Sequence, residues 1–193
     1  MTNREQEIRT YFQNMDRSFF MDSHKDMAFF DEAIPIGHGQ TISQPSLVLE
    51  MTLALDLRPD SKVLEIGTGS GFQTALLAAF SDTVYTVERI ESLHERAKER
   101  LAEADFSNIQ FKLDDGSLGW EEHSPYDRIM VTAAASEIPQ ELIDQLANGG
   151  KMIIPVGSTF SQELLLIEKQ QDGTLDTTLL NEVVFVRLKG KYE

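Results

Sequence analysis

The fold of this chain is decided by the stretch Val63-Leu64-Glu65-Ile66-Gly67-Thr68-Gly69-Ser70-Gly71, in which an apolar run ends in three glycines at alternate positions. An apolar run bounded by glycine is typical of a buried strand. Helical spacing of apolar residues begins directly afterwards, over residues 72–80. The glycines allow a tight chain reversal, and they let backbone N–H groups approach a ligand that a Cβ atom would push away. Such a ligand faces the positive end of the following helix.

The next apolar run, residues 83–87, ends in Glu88, which lies 21 residues after Gly67. An acid at the tip of the second strand, about 20 residues beyond the glycines, usually holds a ribose diol. Phe72 stands where a dinucleotide-binding site has its third glycine, which disfavours a pyrophosphate cofactor. The spacing therefore favours a nucleoside without phosphates, such as S-adenosylmethionine. A strand-to-helix turn without any ligand is the alternative.

The composition limits the classes of protein to consider. The 193 residues suit one domain with a sizeable core, and a net charge of −15 makes the surface repel nucleic acid phosphates. The sequence has no cysteine, which excludes a disulfide framework, a thiolate nucleophile and a cysteine metal site. The four histidines are scattered without zinc-ligand spacing, so we expect no metal. Residues 1–13 are polar, unlike a signal peptide, and no run reaches membrane-spanning length, so we expect a cytoplasmic protein.

Apolar periodicity predicts alternating strands and helices from residue 62 onwards, which implies a doubly wound, mostly parallel sheet. The predicted strands are 62–66, 83–88, 109–113, 127–132 and 151–156, and the predicted helices are 3–15, 45–57, 71–80, 90–104 and 139–146. Residues 148–150, Asn-Gly-Gly, predict a helix stop and a turn. Two further apolar runs, 163–168 and 183–188, are joined by a polar stretch and predict an antiparallel hairpin at the sheet edge.

In such sheets, ligands lie outside the carboxyl ends of the strands. The glycine turn, Glu88, the pair Asp115-Gly116 and residues 132–135 are all expected there. Asp115 could accept a hydrogen bond from an exocyclic amino group, although a turn aspartate before glycine is the commoner case. Ser43, which lies two residues before Pro45, is by itself most simply a helix N-cap.

Five segments carry a family resemblance, namely Pro35-Ile36-Gly37-His38-Gly39-Gln40-Thr41-Ile42-Ser43-Gln44-Pro45, Glu65 to Gly71, Val84-Tyr85-Thr86-Val87-Glu88-Arg89-Ile90, Tyr126-Asp127-Arg128-Ile129-Met130-Val131-Thr132-Ala133-Ala134-Ala135 and Ile154-Pro155-Val156-Gly157. They resemble the protein-L-isoaspartate (D-aspartate) O-methyltransferase family, and the resemblance runs from about residue 17 to residue 190. The glycine turn is shared by many methyltransferases. The Gln-Thr-Ile-Ser-Gln-Pro loop is far more specific to this family.

The resemblance implies a single-domain, Rossmann-like class I methyltransferase over residues 1–193. Residues 1–45 would form an N-terminal helix and active-site loop, and residues 46–193 a core with a seven-stranded sheet whose last strands are exchanged relative to the usual order. The implied cofactor is S-adenosylmethionine. The implied reaction methylates the side-chain carboxylate of L-isoaspartyl residues in damaged proteins, with D-aspartyl residues as a second candidate. The expected partners are isoaspartyl peptides and unfolded proteins, without nucleic acid or membrane, and the expected state is a monomer.

The candidate site residues fall into cofactor-binding, substrate-binding and catalytic groups. The cofactor-binding candidates are Glu65, Gly67, Thr68, Gly69, Ser70, Gly71, Glu88, Arg89, Asp115, Gly116 and Thr132. The substrate-binding candidates are Gln40, Thr41 and Ser43. The resemblance marks Ser43 as catalytic, Glu88 as the ribose ligand and Asp115-Gly116 as the adenine ligands. Because a carboxylate nucleophile is already ionised at neutral pH, Ser43 would position the substrate and would not attack the methyl group.

The chain departs from the family pattern at a few positions. Ser46 stands where an aromatic residue commonly follows Gln-Pro, Asp114 replaces a glycine, and Arg187 stands where proline is usual. The N-terminal helix is also shorter than is usual. These departures touch the peptide-binding rim and the adenine pocket, and therefore concern substrate range and affinity more than the reaction.

Alternatives of other kinds remain open at this stage. One is a methyltransferase of the same fold that acts on RNA or on a small molecule, which the net charge and the Gln-Thr-Ile-Ser loop disfavour. Another is a non-catalytic module that binds S-adenosylmethionine and regulates a partner. A third is a nicotinamide dehydrogenase, which Phe72 disfavours.

Overall fold

The computed structural model describes residues 2–192, so Met1 and Glu193, the two ends of the predicted domain, lie outside the described residues. The α-helices are α1 Asn3–Asn14, α2 Pro45–Ala54, α3 Phe72–Ala79, α4 Glu91–Glu103 and α5 Gln140–Gln145. The strands are β1 Ile34–Gly37, β2 Gln40–Ile42, β3 Lys62–Ile66, β4 Thr83–Glu88, β5 Ile109–Leu113, β6 Tyr126–Val131, β7 Leu146–Gly157, β8 Gln162–Lys169 and β9 Leu175–Val183.

Seven strands of the described chain form one sheet in the order β5-β4-β3-β6-β7-β8-β9. The strands β3 to β7 are paired in parallel, whereas β8 is antiparallel to β7 and β9 is antiparallel to β8. The predicted α/β class, with a mostly parallel seven-stranded sheet and an antiparallel C-terminal edge, is therefore confirmed. The last strands follow one another in chain order, in agreement with the exchange that the resemblance implied.

The central strand β3 is buried because helices cover the sheet on both faces. Val63 belongs to the apolar cluster that contains Met51 of α2 and Leu76 of α3. Its neighbour Leu64 belongs to the opposite cluster, with Leu142 of α5. This alternation follows from the two-residue period of a strand, and it fixes the glycine turn at the carboxyl end of β3.

The prediction that residues 183–188 form the second strand of the edge hairpin was wrong. The structure forms β9 over Leu175–Val183, mostly within the polar stretch that was predicted to be a connection, and residues 184–188 lie outside β9. Because β9 is an edge strand, most of its side chains are exposed and it shows no apolar alternation. Residues 183–188 are apolar for another reason: they cross the carboxyl edge of the sheet, where Ala134 N–H donates to Val186 O and Leu188 N–H donates to Ala134 O, both at 2.8 Å.

The turn predicted at residues 148–150 was also wrong. Helix α5 ends at Gln145 and β7 begins at once, with Tyr126 opposite Leu146 and Arg128 opposite Lys151. Residues 147–150 therefore form a bulge at the start of β7, and Gly149 has a φ of +80° there. The other predicted boundaries agree within one residue, apart from the end of α2, which comes three residues early at Ala54, and the start of β7, which comes five residues early at Leu146.

The N-terminal segment packs onto the domain through aromatic rings. The ring of Phe72 on α3 lies 5.9 Å from the ring of Phe12 and 5.4 Å from that of Phe20. The antiparallel pair β1–β2 follows, and brings residues 40–43 to the carboxyl edge of the sheet. Within residues 2–192, no helix has the length and apolar character that crossing a membrane requires.

Candidate active site

The glycine turn is held between β4 and β6. Gly67 has a φ of +93°, which favours glycine, and its N–H donates to Val87 O at 2.9 Å. The Thr132 hydroxyl, at the tip of β6, donates to Ile66 O at 3.0 Å and to Gly67 O at 2.7 Å. A Cβ atom on Gly67 would collide with this hydroxyl. Thr132 therefore fixes the path of the turn.

The acid at the tip of β4 is bonded directly to this turn. Glu88 Oε2 accepts the N–H of Gly69 at 2.9 Å, and Oε1 accepts the N–H groups of Arg89 and Ile90, each at 2.9 Å. The side chain is thereby fixed, with the residue 6% exposed. A carboxylate offers about four acceptor directions, so Oε2 can still accept a hydroxyl. The glycines and the acid, 21 residues apart in sequence, form one binding surface.

The turn and the acid line a cleft that is open to solvent at the carboxyl edge of the sheet. Most of the predicted site residues line it, namely Gln40, Thr41, Ser43, Gly67, Thr68, Gly69, Ser70, Glu88, Arg89, Gly116 and Thr132. Apolar side chains from the ends of β3 and β4, Ile66 and Val87, complete the wall together with Phe72. The cleft thus offers acceptors, backbone donors and apolar surface together, as a nucleoside requires.

Glu65 lies beneath the turn and does not line the cleft. Its side chain is fully buried, and its Oε2 accepts the hydroxyls of Thr74 and Thr86, each at 2.6 Å. The Thr86 hydroxyl lies 2.6 Å from that of Thr68, which does line the cleft. Burial raises the pKa of Glu65 to about 8; the two threonine hydrogen bonds oppose this rise and nearby Glu88 adds to it. Glu65 is therefore largely protonated at neutral pH and supports the turn from below.

Gly71 also lies away from the cleft. It precedes α3 with a φ of +88°, and a Cβ atom on it would lie 3.1 Å from Leu101 Cδ1 of α4. Its requirement for glycine therefore comes from its left-handed backbone conformation and from helix packing.

Asp115 lies in an adjoining hollow, which Arg89 and Lys189 also line. Its Oδ1 accepts the N–H of Ser117 at 2.9 Å, and Gly190 packs directly against the carboxylate. Asp115 therefore lines this hollow and not the main cleft.

The predicted active-site loop joins β2 to α2. The expectation that Ser43 caps the helix was wrong, because the N-cap residue is Gln44 and it makes no side-chain cap. The Ser43 hydroxyl makes no hydrogen bond to any residue in 2–192, and Ser43 lines the cleft. This hydroxyl is available to a substrate.

A second groove, of about 1110 Å³, opens beside the first cleft and shares Thr41 and Ser43 with it. Exposed apolar side chains line this groove, with Phe160 88% exposed and Val184 72% exposed. The active-site loop therefore lies where the cleft meets a wider groove. Sequence patterns did not predict this groove, because its walls come from α2, the β7–β8 turn and the end of β9.

The residues that depart from the family pattern lie at the edges of these cavities. The Ser46 hydroxyl lies 3.0 Å from Gln44 Nε2, on the groove. Asp114 pairs with Lys112 at 2.7 Å beside the hollow. Arg187 lines the cleft and donates to Gly157 O at 2.5 Å, which ties the C-terminal segment to the end of β7.

The C-terminal segment 186–189 also lines the cleft, although none of its residues was among the predicted site residues. Its apolar pattern was assigned to a strand, and the contacts that bring it to Ala134 span about fifty positions of sequence. Within residues 2–192, no group of three or more His, Asp or Glu side chains could hold a metal ion.

A mostly parallel sheet with a glycine turn, a tip acid and a cleft at the carboxyl edge defines a Rossmann-like class I methyltransferase. The sequence matches the family Protein-L-isoaspartate(D-aspartate) O-methyltransferase over residues 1–193. It is 51% identical over 188 residues to a protein-L-isoaspartate O-methyltransferase of Dictyoglomus turgidum, with 97% of this chain and 85% of that protein covered.

Solved structures agree with the sequence matches. A protein-L-isoaspartate O-methyltransferase superposes with a TM-score of 0.85 at 26% identity, over 97% of this chain and 65% of that one. A Plasmodium falciparum protein assigned as a beta-aspartate methyltransferase, in complex with S-adenosyl-L-homocysteine, gives a TM-score of 0.76 at 25% identity, over 98% and 99% of the two chains. The chain belongs to the protein-L-isoaspartate (D-aspartate) O-methyltransferase family.

Proposed function

We propose that this protein transfers the methyl group of S-adenosylmethionine to the side-chain carboxylate of L-isoaspartyl residues in damaged proteins, with D-aspartyl residues as a second substrate. The observation that carries the proposal is the position of Thr41 and Ser43, which line both the cleft beside the glycine turn and the open groove. A peptide in the groove would meet the cofactor at this loop.

The residues of the cleft fit the adenosyl part of the cofactor. Glu88 Oε2 can accept a ribose hydroxyl while it keeps the N–H of Gly69. A Cβ on Gly69 would have Ile36 Cδ1, at 3.8 Å, as its neighbour among the described residues, so a ligand can approach this backbone closely. The cofactor supplies a methyl group on a sulfonium, whose own charge activates it.

The remaining chemistry needs orientation and no general base. Carboxyl groups have an ordinary pKa of about 4, so the substrate carboxylate is ionised at neutral pH. Alignment of two reacting groups can supply about 7–11 kcal/mol in favourable cases. The unbonded Ser43 hydroxyl is suited to donate to one carboxylate oxygen and thereby direct the other towards the methyl group.

Charge bears on which peptides the groove accepts. The chain carries a net charge of −15, which repels anionic substrates at long range. Glu50 and Glu182 line the groove itself. We therefore expect cationic or neutral residues beside the isoaspartyl residue to be favoured over acidic ones. The cytoplasmic location, the monomeric state and the absence of nucleic acid partners stay predictions.

A methyl-transfer assay with matched peptides tests the proposal. Tritiated S-adenosylmethionine is incubated with the protein and either an isoaspartyl peptide or the same peptide with normal aspartate. We expect base-labile label, as in a methyl ester, on the isoaspartyl peptide at least tenfold above the aspartyl control. Tight binding of S-adenosylhomocysteine without label on any isoaspartyl peptide would support a non-catalytic binding module instead.

A further inference from the structure

A buried arginine links the N-terminal segment to the active-site loop. Arg17 is 5% exposed, and its guanidinium donates to five carbonyl oxygens of the described chain. Nη1 donates to the carbonyls of Ala28 at 3.3 Å and Phe30 at 3.0 Å, and Nη2 to those of Glu32 at 2.7 Å, Ile42 at 3.4 Å and Ser43 at 3.0 Å.

These carbonyls come from separate segments, 28–32 and 42–43. A guanidinium presents five N–H donors in a rigid planar fork, whereas a lysine ammonium presents three donors around one point. Burial of a charged group is costly unless it is well bonded. Arg17 therefore acts as a cross-link between the segments, and its Nη2 donates to the carbonyl of Ser43, a residue that lines the cleft.

Asp31 holds the same loop from its other side. It belongs to the segment 28–32, and its Oδ1 accepts the N–H of Ser46 at 2.8 Å while its Oδ2 accepts Gln44 Nε2 at 3.0 Å. Residues 42–46 are thus bonded on both sides of Ser43, by side chains that line neither cavity.

We propose that Arg17 is a positioning residue for methyl transfer, which together with Asp31 holds the Ser43 loop at the junction of the cleft and the groove. The inference rests on the proposed function for its kinetic consequence, though not for its effect on the loop. A misplacement of about 1 Å far from the reacting atoms can cost about a hundredfold in rate.

The variant Arg17→Lys tests this, with Arg4→Lys as the matched control. Arg4 Nη2 donates to Phe80 O at 2.7 Å and thereby ties α1 to the domain, away from the loop. We expect Arg17→Lys to lower kcat/KM for an isoaspartyl peptide by about 10-fold to 100-fold while the Kd for S-adenosylhomocysteine changes by less than about threefold. Arg4→Lys should leave both quantities near the wild-type values.

Two results would overturn the inference. One is a wild-type kcat/KM in Arg17→Lys, and the other is a loss of cofactor affinity as large as the loss of kcat/KM. A double-mutant cycle with Ser43→Ala sharpens the test, because residues that act as a unit give non-additive losses. The loss from Arg17→Lys should shrink in the Ser43→Ala background, and fully additive losses would contradict a role through Ser43.

Hydrogen exchange separates this inference from the proposed function. Arg17→Lys should speed amide exchange in residues 41–46 and leave residues 67–71 unchanged, whether or not the wild type methylates peptides. Asp31→Asn weakens the other attachment of the same loop and should increase amide exchange there by a smaller amount. It replaces Arg17→Lys as the test variant if Arg17→Lys does not fold. Wild-type exchange of the loop in a folded variant would refute the positioning role.

Discussion

At the scale of single residues, the carboxyl groups of Glu65 and Glu88 have different environments and different roles. Glu65, fully buried, accepts threonine hydroxyls, whereas Glu88 accepts backbone N–H groups at the cleft surface. The pKa of Glu65 is raised to about 8 by burial. The Glu65 carboxyl group below the turn is therefore largely uncharged at neutral pH, whereas Glu88 offers hydrogen-bond acceptors at the cleft.

The raised pKa of Glu65 predicts a pH dependence of stability. The pKa of Glu65 is 4.5 in the unfolded chain and about 8 in the folded protein. The protonated side chain therefore contributes fully to the free energy of unfolding below pH 4.5, and this contribution is lost as the pH rises to about 8. Urea unfolding from pH 5 to pH 8 should show the wild type losing up to about 1.4 kcal/mol per pH unit relative to Glu65→Gln. Equal pH slopes for the two proteins would contradict the raised pKa.

Ser43→Ala should lower kcat for an isoaspartyl peptide, because the carboxylate loses one hydrogen-bond donor. A hydrogen bond to a charged group contributes about 1.5–3 kcal/mol, which corresponds to roughly a 10-fold to 100-fold loss. The Kd for S-adenosylhomocysteine should hardly change. Ser158→Ala, at an exposed serine outside both cavities, is the control. Equal turnover in Ser43→Ala and wild type would discard this role for Ser43.

At the scale of elements, the parallel half of the sheet was predictable because each strand there is apolar and ends at a turn signal. Glu65 was predicted to contact the cofactor, and its motif could not reveal that the side chain points below the turn. The sequence did not predict edge strand β9, because pairing with β8 holds this strand in the sheet although it has no apolar face. The position of the segment that crosses the cleft at Val186 was not predicted, because its hydrogen-bond partner, Ala134, is remote in sequence.

The glycine turn predicts a contrast between neighbouring substitutions. Gly69 lines the cleft, so Gly69→Ala should weaken S-adenosylhomocysteine binding about tenfold or more, while its left-handed φ costs about 1–2 kcal/mol of stability. Gly71→Ala should press on Leu101, cost roughly 1–3 kcal/mol and change the Kd by less than about threefold. Calorimetric Kd values and thermal unfolding measure both effects. Equal losses of affinity would contradict the assignment of the cleft.

At the scale of the whole molecule, an acidic chain binds an anionic group, so local donors must offset the overall repulsion. The binding surface is assembled from the turn after β3, the tip of β4, the loop before α2 and the C-terminal segment. No local pattern predicts that assembly as a whole, since the sheet topology brings these parts together. The family resemblance identified the active-site loop, and the structure shows that this loop lies where the cleft meets the groove.

The acidic groove predicts a charge preference. An isoaspartyl peptide with lysine beside the modified residue should have a KM about threefold to fivefold lower than one with glutamate, as for an exposed ion pair, and salt should reduce the difference. The double variant Glu50→Gln/Glu182→Gln should reduce it as well. Glu99→Gln/Glu103→Gln, with the same charge change on α4, is the control. An unchanged preference in the groove variant would contradict this assignment.

The central claim is that the turn at residues 67–71 and Glu88 together hold the adenosyl part of one cofactor. A crystal structure of the protein with S-adenosylhomocysteine tests it most directly. We predict a ribose hydroxyl within hydrogen-bonding distance of Glu88 Oε2 and the sulfur directed towards Ser43. A ligand bound elsewhere, with this cleft still empty at saturating concentration, would contradict the account.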